Sequence, residues 1–260
     1  MSDAVVLTQL DGAVLTLTIN RPDKLNALNH EVMAALASAI DRAAHNDEVR
    51  CVVLTGAGEK AFVAGADIAE LRAVDSKGAA DMVKVARKLM GQMEQMGKPV
   101  IAAINGYALG GGCELALACT IRIASSAAMI GLPEIKLGLI PGYGGTQRLS
   151  RIAGRGRALH MMLSGQPVDA QKALDYGIVT QVVEPGELLD TVMKLAHTLA
   201  ASAPLSVRAI IDAVHSGNDR SLEEGLDLEE WAFTSLVESD DMREGTGAFL
   251  EKRKPEFKGR

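Results

Sequence analysis

A glycine triplet followed by a glutamate is the first feature of this sequence that could take part in chemistry. Gly110-Gly111-Gly112 leads into an apolar stretch that carries Glu114 near its start. Glycines at a strand-to-helix turn let the backbone approach a ligand closely, and the first N–H groups of a helix have no partner within it. With the positive end of the helix dipole, such groups can stabilise an oxyanion. A tight turn that serves packing alone is the alternative.

Two glutamates in apolar surroundings suggest acid and base chemistry. Glu114 precedes a run of leucine and alanine, and Glu134 lies in an aliphatic loop interrupted by proline and glycine. Burial raises the pKa of a carboxyl group, so one glutamate can hold a proton near neutral pH while the other remains ionised. Such a pair suits general acid and base catalysis. The alternative for Glu114 is an ordinary first-turn glutamate that the helix dipole stabilises.

A second loop of small residues, 62–68, follows a predicted strand and offers another backbone N–H donor and the floor of a cleft. The alternative is that this loop only connects two elements and has small residues because its surroundings are sterically crowded. Asp67 is also a residue type that commonly caps a helical turn.

The segments around these groups alternate between strand and helix. Asp11-Gly12 predicts a β-hairpin between strands 5–10 and 13–19. Downstream we predict a helix capped by Asn29, strand 49–55, helix 79–95, strand 100–104, helix 113–119, strand 121–124, helical structure over 144–163 and strand 177–183. This alternation is typical of an α/β fold with a largely parallel sheet.

Helices dominate the C-terminal part, over 188–202, 205–214, 222–236 and 240–250. We place a boundary near Ala203-Pro204. The chain is therefore divided into a catalytic core of residues 1–203 and a helical region of residues 204–260.

Composition excludes several classes of protein. The 260 residues are 48% hydrophobic, which suits one large domain with a small appendage, and the net charge of -6 argues against a nucleic-acid partner. Cys51, Cys113 and Cys119 form no CxxC pair, and the five histidines show no metal-binding spacing, so we expect neither disulfides nor a metal site. Cys113 is expected to be a buried, inert thiol.

Targeting and membrane signals are not expected. Met1-Ser2-Asp3 lacks the basic flank and long apolar core of a signal peptide. The apolar stretch 99–124 contains Asn105, Glu114 and glycines, which argues against a membrane span. We expect a cytoplasmic protein.

Four ordered segments resemble those of the enoyl-CoA hydratase (crotonase) family. The N-terminal segment is Asn20-Arg21-Pro22 with Leu25-Asn26-Ala27-Leu28, which is similar to the family's CoA-binding segment. The others are Ala64-Gly65-Ala66-Asp67-Ile68, the run from Lys98 to Ala116 with Gly110-Gly111-Gly112-Cys113-Glu114, and the run from Pro133 to Leu149 with Gly142-Tyr143-Gly144-Gly145-Thr146-Gln147-Arg148. The similarity extends from about residue 14 to about residue 185.

The resemblance implies roles for five residues in catalysis. The N–H groups of Ala66 and Gly111 would form an oxyanion hole around a thioester oxygen. Glu114 would activate a water for attack on the β carbon, Glu134 would protonate the α carbon, and the N–H of Gly142 would help to place the water.

The resemblance also implies contacts with an acyl-CoA substrate. Ala64 and Ala66 would line the adenine pocket, and Lys24, Leu25 and Ala27 would follow the CoA chain. The remaining binding residues would be Gly65, Asp67, Ile68, Tyr107, Leu109, Pro133 and Leu137.

The fold implied by the resemblance is the crotonase spiral, in which repeated ββα units form two stacked sheets flanked by helices. The C-terminal helices would pack in a homotrimer or a dimer of trimers. Trp231 and Phe233 are candidates for interface anchors or for intrachain core. Lys254, Phe257 and Lys258 are candidates for contact with CoA.

One position departs from the family pattern. The family commonly has Asp after the cysteine that ends the signature helix, whereas this chain has Cys119-Thr120. We interpret that position as structural.

The predicted function is reversible syn hydration of a trans-2-enoyl-CoA, without a metal or redox cofactor, because both glutamates of the family's hydratases are present. A double-bond isomerase, or a hydratase specialised for branched or aromatic acyl groups, is the alternative within the enzyme class. Outside that class, the alternative is a relative that binds RNA or protein.

Overall fold

A computed structural model describes residues 4–260 of the protein. The N-terminal residues that bear on the signal-peptide prediction lie outside this range. Among the described residues, no helix is both long enough and apolar enough to cross a membrane.

Within residues 4–260 the strands are short and arranged in two sheets. In chain order they are β1 (Val6–Asp11), β2 (Val14–Ile19), β3 (Cys51–Gly56), β4 (Ala61–Val63), β5 (Val100–Ile104), β6 (Tyr107–Leu109), β7 (Ile121–Ser125), β8 (Met129–Gly131), β9 (Val168–Asp169) and β10 (Gln181–Val183).

The larger sheet has the order β1-β2-β3-β5-β7-β10. Its first pair is the predicted antiparallel hairpin, in which Asp11 faces Val14, and every other pair is parallel. The smaller sheet has the order β4-β6-β8-β9 and is parallel except for the β8–β9 pair. The prediction of a largely parallel sheet is therefore confirmed.

Helices connect and cover the strands. They are α1 (His30–His45), α2 (Ile68–Ala73), α3 (Ser76–Gln95), α4 (Gly111–Leu117), α5 (Gly145–Ala153), α6 (Arg155–Ser164), α7 (Ala170–Asp175), α8 (Leu188–Ala200), α9 (Pro204–Gly217), α10 (Leu222–Leu236) and α11 (Asp240–Glu251). Short 3-10 turns lie at Pro22–Lys24, Glu134–Leu137 and Pro185–Glu187.

The central strands are buried on both faces. In β3, Val52 and Leu54 belong to the main core, whereas Cys51 and Val53 pack in a second cluster with residues of α8. Both faces are covered by helices, which is why β3 and β5 read as continuous apolar runs rather than as alternating patterns.

Helix α4 packs very closely against the smaller sheet. A methyl group in place of the Gly112 hydrogen would collide with the carbonyl oxygen of Val63 in β4. A glycine is required here because no side chain fits between the helix and the strand. This close approach fixes the position of the glycine turn next to the loop that follows β4.

Most predicted elements are confirmed, and their boundaries show where local signals were weak. Helix α3 begins at Ser76, three residues before the prediction, because Asp75 caps it by accepting a hydrogen bond from the N–H of Gly78. The predicted strand 177–183 is wrong in its first half, since Gly177 has a positive φ at the end of α7 and the strand begins at Gln181.

The C-terminal helices expose large apolar side chains. Trp231 and Phe233 on α10 are 72% and 70% exposed, so their assignment to the intrachain core is wrong. Helix α9 begins at Pro204, at the predicted boundary. That residues 204–260 form a distinct region stays a prediction, and the end of the chain touches the core where Arg50 donates to the carbonyl oxygen of Phe257 at 2.9 Å.

Thr120 has a structural role, as predicted. Its hydroxyl accepts a hydrogen bond of 3.1 Å from the N–H of Val100, the first residue of β5. The side chain thus satisfies a backbone group at the start of a buried strand.

The contact of α4 with β4 predicts that Gly112→Ala is destabilising. The added methyl group would collide with a backbone atom of β4, so only a shift of the helix can relieve the contact. We therefore expect the free energy of unfolding, measured by urea denaturation, to fall by about 1–3 kcal/mol. Gly91→Ala in α3 is the matched control, because a methyl group there meets nothing within 4 Å. The control should be neutral or stabilising by up to about 1 kcal/mol. Equal effects of the two substitutions would contradict this account of the glycine turn.

Candidate active site

One cavity of about 450 Å³ lies where the two small-residue loops, helix α3 and the segment around Glu134 meet. Its lining is mostly aliphatic, with two carboxylates and one amine. The lining residues are Ala64, Gly65, Ala66, Ile68, Leu71, Ala79, Met82, Val83, Gly110, Gly111, Glu114, Pro133, Glu134, Lys136, Leu137, Leu139, Ile140, Gly142 and Tyr143.

Glu114 is held by two backbone N–H groups. It is the fourth residue of α4 and only 2% exposed, and its Oε1 accepts hydrogen bonds of 2.7 Å from the N–H of Tyr143 and 2.7 Å from that of Gly145. Gly145 is the first residue of α5, so the carboxylate also faces the positive end of a helix. The competing role for Glu114, an ordinary glutamate in the first turn of its own helix, does not account for these contacts.

Glu134 has a different environment, although it lines the same cavity. It begins the 3-10 turn Glu134–Leu137 and is half-buried. Its Oε2 is buried and has no hydrogen-bond partner among residues 4–260. A buried polar atom without a partner costs free energy, and a ligand bound in the cavity that Glu134 lines can supply the missing contact.

Both carboxyl groups have raised pKa values. Burial is the largest cause for Glu114 and raises its pKa to about 7, with a further increase from the charge of Glu134. The N–H groups of Gly145 and Tyr143 and the charge of Arg148 act in the opposite direction. Burial also raises the pKa of Glu134. Carboxyl groups whose pKa values are raised toward the working pH can exchange protons with a bound molecule.

The two small-residue loops meet at one side of the cavity. A methyl group on Gly110 would lie 3.8 Å from the Cα of Gly65, so the backbones are nearly in contact. Among residues 4–260, neither the N–H of Ala66 nor that of Gly111 donates to a protein acceptor. Ala66 lies opposite Leu28 in an isolated parallel bridge. In this bridge the N–H of Leu28 donates to the carbonyl oxygen of Gly65, and the N–H of Asp67 donates to the carbonyl oxygen of Leu28, so the N–H of Ala66 takes no part. For Gly111, the lack of an acceptor among these residues follows from its place as the first residue of α4.

A buried asparagine supports the loop that follows β4. Asn26 is fully buried with a positive φ, and its amide donates to the carbonyl oxygens of Ala57 and Ala61. The neighbouring carbonyl of Leu25 accepts from the N–H of Ala64 at 3.0 Å. The segment predicted to follow CoA is therefore attached directly to the loop at the cavity.

Asp67 acts as the predicted cap. Its side chain accepts from the N–H of Ala69 at the start of α2 and also pairs with Arg21 at 3.1 Å. The hydrogen bond from Arg21 is the main reason why the pKa of Asp67 is lowered.

The structure brings together many of the predicted site residues but not all of them. Those that line the cavity are Ala64, Gly65, Ala66, Ile68, Gly111, Glu114, Pro133, Glu134, Leu137 and Gly142. Those outside its lining are Lys24, Leu25, Ala27, Asp67, Tyr107 and Leu109. Their predicted contacts with CoA stay predictions, as do those of Lys254, Phe257 and Lys258.

Sequence reasoning missed the residues that hold Glu114. Tyr143 and Gly145 follow the predicted Gly142 in the chain. They act through backbone N–H groups, which no side-chain pattern reveals. The Gly142-Tyr143-Gly144-Gly145 run was the available signal, because a glycine-rich turn before a helix often presents N–H groups to an anion.

The three cysteine thiols are poorly suited to nucleophilic chemistry. Cys51, Cys113 and Cys119 are free and buried, and burial raises the pKa of all three. Cys113 is therefore protonated beside Glu114 and a poor nucleophile, as predicted.

Comparison with known proteins places the chain among enzymes of CoA thioesters. The sequence model described as Enoyl-CoA hydratase/isomerase matches residues 9–260. The short-chain-enoyl-CoA hydratase of Clostridium acetobutylicum is 43% identical over 256 residues, with 98% of each chain covered. The 2,3-dehydroadipyl-CoA hydratase of Escherichia coli is 41% identical over 260 residues, with 100% of each chain covered.

A solved structure agrees with this result. The enoyl-CoA hydratase of Bacillus anthracis superposes with a TM-score of 0.96 at 39% identity, covering 98% of this chain and 100% of that one. The predicted α/β fold of the crotonase type is thereby confirmed.

The raised pKa of Glu114 predicts a dependence of stability on pH. A glutamate in the unfolded chain titrates near 4.5, whereas the folded protein holds this proton up to about pH 7. Since the folded state binds more protons in that window, stability should fall as pH rises through it and level off above pH 7. The Glu114→Gln variant lacks this titrating group and does not lose stability in this way. The free energy of unfolding of the variant minus that of wild type should therefore be larger at pH 8 than at pH 5, by on the order of 1–3 kcal/mol.

Urea denaturation at several pH values measures this difference. Glu59→Gln, at an exposed position, is the control and should follow the wild-type pH dependence. Parallel pH curves for wild type and Glu114→Gln would show that the buried carboxyl group is not the cause.

Proposed function

The chain belongs to the enoyl-CoA hydratase/isomerase family, and on this premise we propose that it is an enoyl-CoA hydratase that adds water reversibly, in a syn sense, to a trans-2-enoyl-CoA. One observation supports this most strongly. The buried carboxyl group of Glu114 and the half-buried one of Glu134 line a single cavity and have different hydrogen-bond environments, and two backbone N–H groups beside them have no acceptor among residues 4–260. The named hydratases among its relatives support the same reaction class.

The proposed reaction uses each group once. Glu114 takes a proton from water while the water oxygen forms a bond to the β carbon, and the electrons of the double bond move toward the thioester oxygen. The N–H groups of Ala66 and Gly111 stabilise the negative charge that develops there. Glu134 then gives its proton to the α carbon, which yields the 3-hydroxyacyl-CoA. The exchange of protons with solvent restores both glutamates.

The different environments of the glutamates support this division of roles. Glu114 keeps two N–H donors that favour its ionised form, as a general base requires. Glu134 has an oxygen without a partner in the described part of the chain, and a substrate that displaces water from the cavity would raise its pKa further and favour the protonated acid. The N–H of Gly142, next to Tyr143, is proposed to orient the water. These proton transfers need no metal or redox cofactor.

The acyl-binding part of the cavity favours an uncharged chain. Its walls include Leu71, Ala79, Met82, Val83 and Ile140, and Lys136 is the one cationic side chain among its described lining residues. Lys136 is exposed and lies against the position of Gly165. An acyl carboxylate would therefore lose its hydration without a buried partner and would share the cavity with two glutamates.

We also propose that the protein assembles as a homotrimer or a dimer of trimers. The exposed apolar side chains of α10, which include Trp231 and Phe233, support an interface with further copies of the chain. Cytoplasmic location stays a prediction.

The assignment of the glutamates predicts the effect of two substitutions. Glu114→Gln and Glu134→Gln remove a base and an acid without changing side-chain size, and each should lower kcat by about 10²–10⁴-fold. The loss of the ultraviolet absorbance of a conjugated enoyl thioester, such as crotonyl-CoA, measures turnover. Glu59→Gln is again the surface control and should retain wild-type turnover. Wild-type kcat in either active-site variant would exclude that glutamate from the mechanism.

The apolar walls predict discrimination between neutral and acidic substrates. The value of kcat/KM for crotonyl-CoA should exceed that for 2,3-dehydroadipyl-CoA by about 10-fold or more, because burial of an unpaired carboxylate costs several kcal/mol before partial solvation is counted. Steady-state kinetics with mass-resolved products would test this and would also detect double-bond isomerisation. Equal kcat/KM values would contradict the proposed selectivity while leaving the hydration reaction intact.

A further inference from the structure

Arg148 lies behind the general base and makes a two-pronged ion pair with Glu94. Its Nε donates to Oε1 of Glu94 at 2.6 Å, and its Nη2 donates to Oε2 at 2.7 Å. The two side chains are 19% and 26% exposed, so the pair is well shielded from water. Bidentate pairs of this kind fix orientation more strongly than single contacts do.

The same guanidinium reaches the loop that holds Glu114. Its Nη1 donates to the carbonyl oxygen of Tyr143 at 2.9 Å, and the N–H of Tyr143 donates to Glu114 at 2.7 Å. The peptide groups of the loop therefore lie between a cation on one side and a carboxylate on the other. Gly144 has a φ of 108°, and a methyl group there would collide with Nη1 of Arg148.

The ion pair also connects this loop to a wall of the cavity. Glu94 is near the end of α3, the helix whose earlier turns contribute Ala79, Met82 and Val83 to the acyl-binding side. Arg148 is on α5, whose first N–H group holds Glu114. The Arg148–Glu94 pair therefore joins the helix that faces the acyl chain to the helix that positions the base.

We infer that Arg148, held by Glu94, is a positioning residue for the proposed hydration, and that it holds loop 143–145 in the arrangement that orients Glu114. The inference deepens the proposed function and rests on it. A purely structural ion pair is the alternative, and it would affect stability without a specific effect on the chemical step.

Electrostatics give this role a distinct signature. The charge of Arg148 lowers the pKa of Glu114, so its removal should raise that pKa. The charged and titratable groups around Glu114 are Glu134 and Lys136 in the same cavity, Arg148 with Glu94 behind it, the Tyr143 hydroxyl and the Cys113 thiol. Arg148 is the cation whose charge lowers the pKa of Glu114.

Kinetics of Arg148→Met, Arg148→Lys and Glu94→Gln test the inference with crotonyl-CoA. For Arg148→Met we expect kcat to fall about 10–100-fold, KM to change less than about threefold, and the acidic limb of the kcat profile to move to higher pH. Arg148→Lys keeps the positive charge, so the acidic limb of its kcat profile should lie closer to the wild-type pH. Its kcat should recover only in part, because lysine cannot make the bidentate contact with Glu94. Glu94→Gln should lower kcat without an upward shift, because Arg148 remains charged.

Arg151→Met is the matched control on the same helix. Arg151 makes an exposed pair with Asp219 at 3.0 Å and does not touch the loop, so wild-type kcat and pH profile are expected. The inference is overturned if Arg148→Met keeps both the wild-type kcat and the wild-type pH profile and lowers only the melting temperature.

A stability cycle separates this inference from the proposed function. At pH 8, Arg148→Met should lower the urea midpoint more with Glu114 present than in the Glu114→Gln background, because the favourable charge interaction exists only in the former. Equal shifts in the two backgrounds would overturn the inference. If wild type turns over no enoyl-CoA but the shifts differ, the proposed function fails while the coupling of Arg148 to Glu114 stands.

Discussion

The candidate active site depends on how the buried carboxylate of Glu114 is stabilised and remains able to exchange a proton. Glu114 is almost completely removed from water, and an isolated charge at such a position would be strongly disfavoured. Two backbone N–H groups on one oxygen offset part of that cost and hold the side chain in one orientation. The resulting pKa of about 7 leaves the group able both to release and to accept a proton under ordinary conditions.

The N–H of Gly145 and the N–H of Gly111 are available because a helix begins at each of these residues. The first residues of α5 and α4 have backbone donors that the helices themselves cannot satisfy. The first N–H of α5 holds the glutamate, whereas that of α4 has no acceptor among residues 4–260 and belongs to a residue that lines the cavity. In the proposed reaction, each of these two helix starts would stabilise negative charge at a different point.

Close packing explains the small residues between these helix starts. Gly112 touches the backbone of β4, and the turn at Gly110 nearly touches Gly65. Larger side chains would separate the loops and increase the distance between the proposed oxyanion donors. The aliphatic side chains that α3 contributes to the cavity wall lower the local polarity, which strengthens the electrostatic interactions there. Packing and catalysis therefore place the same demands on this part of the sequence.

The sequence alone determined the local features of this protein. Apolar periodicity and the Asp11-Gly12 turn identified the hairpin and the long helices, and the glycine and glutamate motifs identified the family, both carboxylates and many of the residues that line the cavity. The three-residue strands of the second sheet were too short to show a period, and their existence depends on neighbours far along the chain.

Only the tertiary structure decided which groups surround each glutamate. The donors to Glu114 lie 29 and 31 positions away, and Glu94 and Arg148 are 54 positions apart. These donors are backbone groups, which every residue except proline carries, so residue type cannot reveal them. The same holds for the burial of one oxygen of Glu134 without a partner. Residue types specified which groups were available, and the packing of loops and helices gave the two similar carboxyl groups different environments.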